Sequence, residues 1–227
     1  MLPFSQIGQD FIMKVCYHIF LNMQVDLIFQ IAILIMSVVI HEVSHGYVAY
    51  SLGDPTAKLA GRLTLNPLKH LDPFGSFILP LLMTLAGLPA FGWARPVPYN
   101  PYNLKAGNWG PALVAIAGPG SNILVAVILS FLLRYGGVLG LSQAFFQLTG
   151  IAILINIFLA LFNLIPLPPL DGSKILYALL PYRWRWIEEA LERYSLIIII
   201  IVVYGLARFL EPIAIYFFKL LTGVAIF

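Results

Sequence analysis

The residues best suited to chemistry are two histidines and a glutamate, which stand together as His41-Glu42-Val43-Ser44-His45. Residues four apart share one face of an α-helix, so the two imidazoles can bind one metal ion. A glutamate directly after the first histidine is placed to act as a general base beside that ion. This HExxH pattern predicts a zinc site with hydrolytic chemistry.

A third protein ligand must come from elsewhere, because a catalytic zinc usually has three protein ligands and one open position. The candidates are His18, His70, Asp26, Asp54, Asp72, Asp171 and the glutamates near the C-terminus. Asp171 is favoured because it follows a long apolar stretch and a proline-broken segment, and because Gly172 after it permits close backbone approach. The alternative role for Asp171 is the N-cap of a helix that begins near Ser173, and one carboxylate can serve both roles.

The HExxH motif lies inside an apolar stretch, Ile28 to Leu52, that is long enough to cross a bilayer. Across the chain 60% of residues are hydrophobic and only 10% are charged, whereas a soluble domain has about 25% charged residues. This composition excludes a soluble globular domain and predicts an all-α polytopic membrane protein. The net charge of +3 is not clustered, so we expect no nucleic-acid partner. The single cysteine, Cys16, excludes an intrachain disulfide.

The chain is expected to form one membrane domain over residues 1–227. Its parts are an interfacial or extra helix in 1–26, a catalytic core in 27–180, and an amphipathic helix followed by a C-terminal span in 181–227. The last apolar stretch, 195–222, reads as one kinked span or two short ones.

Three spans are expected, at 27–52, 110–133 and 142–165, and they would form the core that carries the zinc site. The stretch 74–92 is broken by prolines and glycines, so it is either a span or a re-entrant segment. The alternating residues 62–65 (RLTL) predict a short strand, and 93–109 predict a loop or a small β-hairpin.

A second motif gives the chain a family resemblance. More than a hundred residues after HExxH stands Asn163-Leu164-Ile165-Pro166-Leu167-Pro168-Pro169-Leu170-Asp171-Gly172, which has the form NxxPxxxLDG. Together with GPGSN at 118–122, the two motifs resemble the site-2 protease family of intramembrane zinc metalloproteases. The resemblance covers roughly 27–180, and it is to the compact prokaryotic branch without a PDZ or CBS domain.

The resemblance implies one Zn²⁺ per chain, with His41, His45 and Asp171 as ligands and Glu42 as the catalytic acid/base. It implies that Asn163 orients the substrate or polarises its carbonyl group.

Asn122 and Gly172 are then expected to support the site. The implied activity is hydrolysis of peptide bonds within or near the transmembrane segments of membrane proteins. The implied partners are those substrates and the lipid bilayer, with a homo-oligomer or a separate regulatory protein left open. The alternatives are a membrane metal transporter and an inactive homologue that binds membrane segments.

The metal site also constrains the topology, because Asp171 must return to the depth of the two histidines. If 74–94 crossed the membrane, Asp171 would emerge on the opposite side, so we expect this stretch to enter and leave on one side. That side would carry nine basic residues, against Arg134 alone on the other: Lys58, Arg62, Lys69, Arg95, Lys105, Lys174, Arg183, Arg185 and Arg193. By the positive-inside rule the zinc site would face the cytoplasm. A strand in 58–66 or 91–102 is expected to pair with unwound substrate.

Overall fold

The structure is a computed structural model that describes residues 27–78, 82, 83, 85, 94–136, 140–202, 205 and 207–223. The predictions for residues 1–26, including His18 and Asp26 as ligand candidates, lie outside the described residues.

Three long helices form the centre of the described fold. They are α1 (Leu27–Ser51), α3 (Gly110–Gly136) and α4 (Gln143–Asn163). Within the described ranges, these three helices are long and apolar enough to cross a membrane. Each packs against the other two. The predicted all-α core of three spans is confirmed.

Shorter helices surround this centre. They are α2 (Thr56–Leu59), α5 (Asp171–Leu179), α6 (Arg185–Arg193), α7 (Ser195–Ile201) and α8 (Ala207–Thr222). Among the described residues of 195–222, helices α7 and α8 are seen, and the prediction of one kinked span or two short ones depends on residues 203, 204 and 206, which lie outside the described residues. The predicted surface helix appears as α6, and the side chains of Trp184, at its N-cap, and of Trp186, in its first turn, are exposed.

The helix bundle buries polar amides together with apolar side chains and exposes apolar side chains on its outside. Asn122 and Asn156 are 0% and 1% exposed, whereas Leu124 and Phe131 are 59% and 56% exposed. Helix α8 closes one side of the bundle with Phe218, which packs against a buried apolar cluster from α3 and α4. Exposed apolar faces together with buried, hydrogen-bonded polar groups are expected of a protein whose solvent is lipid.

No strand occurs in the part of the chain that the structure describes. Residues 62–65 are irregular, so the strand prediction for RLTL is wrong. Residues 94–100 have no regular secondary structure, and no hairpin is seen within them. Pro96 and Pro98 lack the N–H groups that a strand ladder requires, which explains the absence of pairing.

The two ends of the 71–94 stretch lie together. The Arg95 N–H donates to the His70 carbonyl at 2.8 Å. A single crossing between these residues would separate them by roughly 30 Å. The contact therefore supports the expectation that the stretch returns to its own side, although most of 79–93 lies outside the described residues.

Asp54 joins the end of α1 to the later loop. Its Oδ1 accepts hydrogen bonds from the Thr56 hydroxyl at 2.6 Å, the Thr56 N–H at 3.3 Å and the Asn103 amide at 2.9 Å. Its Oδ2 accepts from the Asn100 N–H at 2.7 Å. Burial would raise the pKa of Asp54, but the hydrogen bonds from Thr56, Asn103 and Asn100 outweigh it and lower the pKa below its usual value.

Candidate metal centre

Helix α1 places both HExxH histidines on its inner face. Both histidines are buried, since His41 is 6% exposed and His45 is 9% exposed. Their ring centroids are 4.6 Å apart and the rings are nearly perpendicular, at 87°. Glu42 lies beside them and is partly buried. The one-turn spacing therefore brings the two imidazoles together as predicted.

The turn between α4 and α5 delivers Asp171 to the histidines. Helix α4 ends at Asn163, the proline-rich segment 164–170 turns, and α5 begins at Asp171 itself. A Cβ on Gly172 would overlap the carbonyl oxygens of Leu164 and Ile165, so glycine permits the close approach that was predicted.

The N-cap alternative for Asp171 is wrong. Leu170 occupies the cap position, and Asp171 is the first helical residue. Its carboxylate points toward the histidines instead of capping the helix.

One carboxylate oxygen and two ring nitrogens converge at the centre of the bundle. Asp171 Oδ2 lies 3.1 Å from His41 Nε2 and 3.3 Å from His45 Nε2. Ligand atoms about 2.0–2.1 Å from a tetrahedral zinc stand about 3.3 Å apart, so these separations fit a zinc ion. Asp171 Oδ2 is also buried without a hydrogen-bond partner among the described residues. A bound cation would satisfy that orphaned oxygen.

The outer hydrogen bonds define which nitrogen of each ring carries the proton. His45 Nδ1 lies 2.7 Å from the Val114 carbonyl, which can only accept, so Nδ1 is the donor. His41 Nδ1 lies 2.6 Å from Asn122 Oδ1 and donates to it in the same way. In the neutral rings both Nε2 atoms then present lone pairs. Three acceptors thus face one another, which is the arrangement that a metal ion requires.

A buried amide network holds Asn122 in place, and it includes a residue that was not predicted. The Asn122 amide donates to Asn156 Oδ1 at 2.9 Å and to the Ser37 carbonyl at 3.2 Å. The Asn156 amide donates to Ser37 Oγ at 2.9 Å and to the Ala152 carbonyl at 2.8 Å. The network joins α1, α3 and α4 behind His41. The sequence feature that could have indicated this role is the polar amide of Asn156 inside the apolar stretch 142–165.

Gly118 on α3 lies directly against the converging nitrogens. A Cβ built there would be 2.5 Å from His41 Nε2 and 2.5 Å from His45 Nε2. Only a residue without a side chain leaves that position open. The GPGSN motif therefore provides two features of the site: Asn122, and at Gly118 the open space beside the two Nε2 atoms.

The segment 94–100 contacts Glu42. The Val97 N–H donates to Glu42 Oε2 at 2.8 Å. The Arg95 N–H is held by the His70 carbonyl and the Asn100 N–H by Asp54, while residues 96 and 98 are prolines without N–H groups. Few backbone donors of this segment are therefore left for a substrate, and the expected pairing of substrate with a strand in 91–102 stays a prediction.

Asn163 is the predicted site residue that the structure links least to the others. Its side-chain amide donates to the Leu159 carbonyl of its own helix at 2.9 Å. It is the last residue of α4, directly before the proline-rich segment 164–170 that leads to Asp171.

The remaining described ligand candidates lie elsewhere. His70 Nε2 bonds to the Thr64 carbonyl at 2.9 Å, Asp54 holds the loop after α1, and Asp72 Oδ1 accepts from the Gly75 N–H at 2.6 Å. Within the described ranges, His41, His45 and Asp171 form the one group of metal-binding side chains whose ligand atoms all lie within 4.8 Å of one another.

Three apolar helices around a His–His–Asp cluster define a multi-pass membrane protein with a metal centre. Comparison with known proteins identifies its class. The model of "Peptidase family M50" matches residues 139–206, which include the NxxPxxxLDG motif. No solved structure matches the chain.

Curated relatives extend the similarity over most of the chain. "Putative zinc metalloprotease YwhC" of Bacillus subtilis (strain 168) is 45% identical over 174 residues, which cover 74% of this chain and 76% of the relative. "Putative zinc metalloprotease Rip2" of Mycolicibacterium smegmatis (strain ATCC 700084 / mc(2)155) is 32% identical over 182 residues, which cover 74% of this chain and 64% of that protein. The chain belongs to peptidase family M50. It is therefore a membrane zinc metalloprotease, and the predicted family and zinc cofactor are confirmed.

Proposed function

We propose that the protein hydrolyses peptide bonds within or near the transmembrane segments of membrane proteins. In this proposal His41, His45 and Asp171 bind one zinc ion, and Glu42 is the catalytic acid/base. The observation that carries the proposal is the convergence of three acceptors, with an orphaned Asp171 Oδ2, inside a bundle of membrane-spanning helices. Such a site meets its substrate where the peptide bond is itself in the membrane.

The ligands and Glu42 have separate tasks. Zinc bound at the cluster supplies Lewis-acid polarisation and makes a water molecule more acidic. Glu42 lies next to His41 on α1, so it is placed to take the proton of the attacking water and to give it to the leaving amine. The Val97 N–H holds Oε2 of Glu42 and thereby leaves the other carboxylate oxygen for proton transfer.

The buried network behind the histidines keeps the ligands fixed during this reaction. His45 is held by the Val114 carbonyl and His41 by Asn122. Since each ring is fixed at Nδ1, Nε2 remains available to the metal. We include Asn122 and Asn156 in the site as supporting residues, and Asn163 remains a prediction for substrate orientation.

Substrate access imposes its own requirement. A transmembrane helix satisfies its amide groups internally, so the scissile peptide bond must leave the helix before Glu42 and the metal can reach it. Substrates with glycine, proline or asparagine near the cut should therefore be preferred.

The zinc site is proposed to face the cytoplasmic side. The distribution of basic residues among the predicted loops supports this orientation, since nine of them would share that side with Asp171. The contact between Arg95 and His70 supports the same topology because it joins the two ends of the 71–94 stretch. We assign 27–180 to the catalytic core and 181–227 to a peripheral part of one domain.

The test is cleavage of a single-span test substrate by purified protein in liposomes, with zinc measured in the same samples. Glu42→Gln should abolish cleavage and retain one zinc per chain, because it touches none of the three ligand atoms. Asp171→Ala should lose both zinc and cleavage. Zinc binding by the wild type without cleavage of any test span would point to the inactive binder, and full activity in Glu42→Gln would contradict the proposed role of Glu42.

A further inference from the structure

Arg62 is a buried cation near the active site that the reaction described above does not use. It is only 6% exposed, and it forms no ion pair with a carboxylate of the described residues. Its Nε is buried and has no hydrogen-bond partner in the described part of the chain. Burying a guanidinium group without an ionised partner is costly, so its position calls for a specific role.

The guanidinium binds the backbone of the segment that contacts Glu42. Arg62 Nη2 donates to the Arg95 carbonyl at 2.6 Å and lies 3.4 Å from the Pro96 carbonyl oxygen. The Arg95 N–H is held at the same time by the His70 carbonyl at 2.8 Å. Residues 95 and 96 are therefore fixed from two directions immediately before Val97.

The Pro96–Val97 peptide group lies between two opposite charges. Its carbonyl oxygen faces the Arg62 guanidinium, and its N–H donates to the Glu42 carboxylate at 2.8 Å. The peptide dipole is thus aligned favourably with both groups. Gly46 allows this approach, since a Cβ there would lie 2.9 Å from Val97 Cγ1.

We propose that Arg62 is a positioning residue for the hydrolytic reaction, acting through the Pro96–Val97 peptide group to hold the Glu42 carboxylate. Arg62 fixes the carbonyl end of the peptide, and the N–H end then orients Oε2 of Glu42. This inference rests on the proposed role of Glu42 as acid/base. The loop after α2, which carries Arg62, and segment 94–100 would then position Glu42 together.

The first test compares Arg62→Met, which removes the charge and donors, with Arg62→Lys, which retains the charge but not the fork of donors. Arg62→Met should lower kcat about 10-fold or more, because a misplacement near 1 Å can cost about 100-fold. KM should change less than about two-fold, since Arg62 acts on Glu42 and not on substrate binding. Arg62→Lys should lie between Arg62→Met and wild type. Zinc content should stay at the wild-type level in both. The control is Lys58→Ala on the nearby surface.

A double-mutant cycle tests the route of the effect. Val97→Pro removes the N–H that Glu42 accepts, whereas Val97→Ala keeps it and serves as the matched control. Because both changes break one contact chain, Arg62→Met combined with Val97→Pro should lose no more activity than the worse single variant. Losses that multiply independently, or wild-type kcat in Arg62→Met, would overturn the proposal.

Two further measurements separate this inference from the proposed function. Glu42→Gln and the wild type are assayed in the same series. No cleavage by the wild type defeats the proposed function, and an active Glu42→Gln defeats the role of Glu42 on which this inference rests. An inactive Glu42→Gln beside a fully active Arg62→Met defeats only the inference. Amide hydrogen exchange supplies a readout that does not depend on activity. Exchange in a peptide covering 94–100 should accelerate in Arg62→Met and remain at the wild-type rate in Lys58→Ala, and unchanged exchange in Arg62→Met would contradict the proposal.

Discussion

Substitution of Gly118 by alanine adds one methyl group at the point where the ligand atoms converge. The new Cβ would be 2.5 Å from His41 Nε2, from His45 Nε2 and from His45 Cε1. Ordinary contact begins near 3.4 Å, so each contact must open by about 0.9 Å. Zinc sites tolerate about 0.2 Å in ligand distance, so neither ring can move that far and still bind the metal.

The expected loss is large because the methyl group acts on two ligands at once. Changes that only disturb the partners of ligands reduce metal affinity about 10- to 100-fold. Direct displacement of both Nε2 atoms should therefore cost at least about 100-fold, or about 2.7 kcal/mol. The helix itself should not be weakened, since alanine is favoured over glycine within a helix by about 1 kcal/mol.

Gly120→Ala is the matched control, because it lies on the same helix two residues away and a Cβ there meets nothing within 4 Å. Both variants are purified in detergent, their zinc content is measured by mass spectrometry, and their affinity is measured by competition with a chelator. Gly118→Ala should lack zinc and cleavage, whereas Gly120→Ala should match the wild type in both. Wild-type zinc affinity in Gly118→Ala would refute the assignment of the cluster as the metal site.

Two other predictions concern the supporting structure. Asn156→Leu keeps the branched arrangement of side-chain heavy atoms but cannot hydrogen-bond to Asn122. It should lower zinc affinity about 10-fold in the same chelator competition, because His41 loses its fixed partner; unchanged affinity would show that the network does not act on the metal. Asp54→Asn should destabilise the protein by about 2 kcal/mol at pH 7. Thr56, Asn100 and Asn103 all donate to the Asp54 carboxylate, and the NH2 group of asparagine would face one of these donors without an acceptor. The pKa of Asp54 is lower in the folded protein than in the unfolded chain. The ionised carboxylate therefore contributes fully to the free energy of unfolding above the unfolded pKa of about 3.9, and this contribution is lost as pH falls through the lower folded pKa. Thermal unfolding in detergent should therefore show a gap between wild type and Asp54→Asn that narrows only below pH about 4, and a constant gap down to pH 2 would contradict this origin.

The two motifs were sufficient to predict which residues meet. His41 and His45 are one helical turn apart, and that spacing alone determines that they share a face. Asp171 was predicted to return to them from the proline-broken segment before it, and the structure brings its carboxylate there. The spans were also predictable, because their apolar length has few alternative explanations.

The sequence contained less information about what surrounds these residues. The roles of Asn156 and Gly118 depend on the rotation of α3 and α4 about their axes, which an apolar sequence does not specify. The alternative N-cap role for Asp171 is not realised, because local propensity does not reveal that the carboxylate turns toward α1. Val97 could not be predicted at all, since its backbone N–H, and not its side chain, makes the contact with Glu42.

X-ray absorption at the zinc edge of the purified protein would test the central claim most directly. If His41, His45 and Asp171 bind the metal, the spectrum should show two imidazole nitrogens and carboxylate oxygen at about 2.0–2.1 Å, and the imidazole signal should be lost in a His41→Ala, His45→Ala variant. A zinc–sulfur distance near 2.3 Å, or a shell of oxygen atoms without imidazole, would contradict the account.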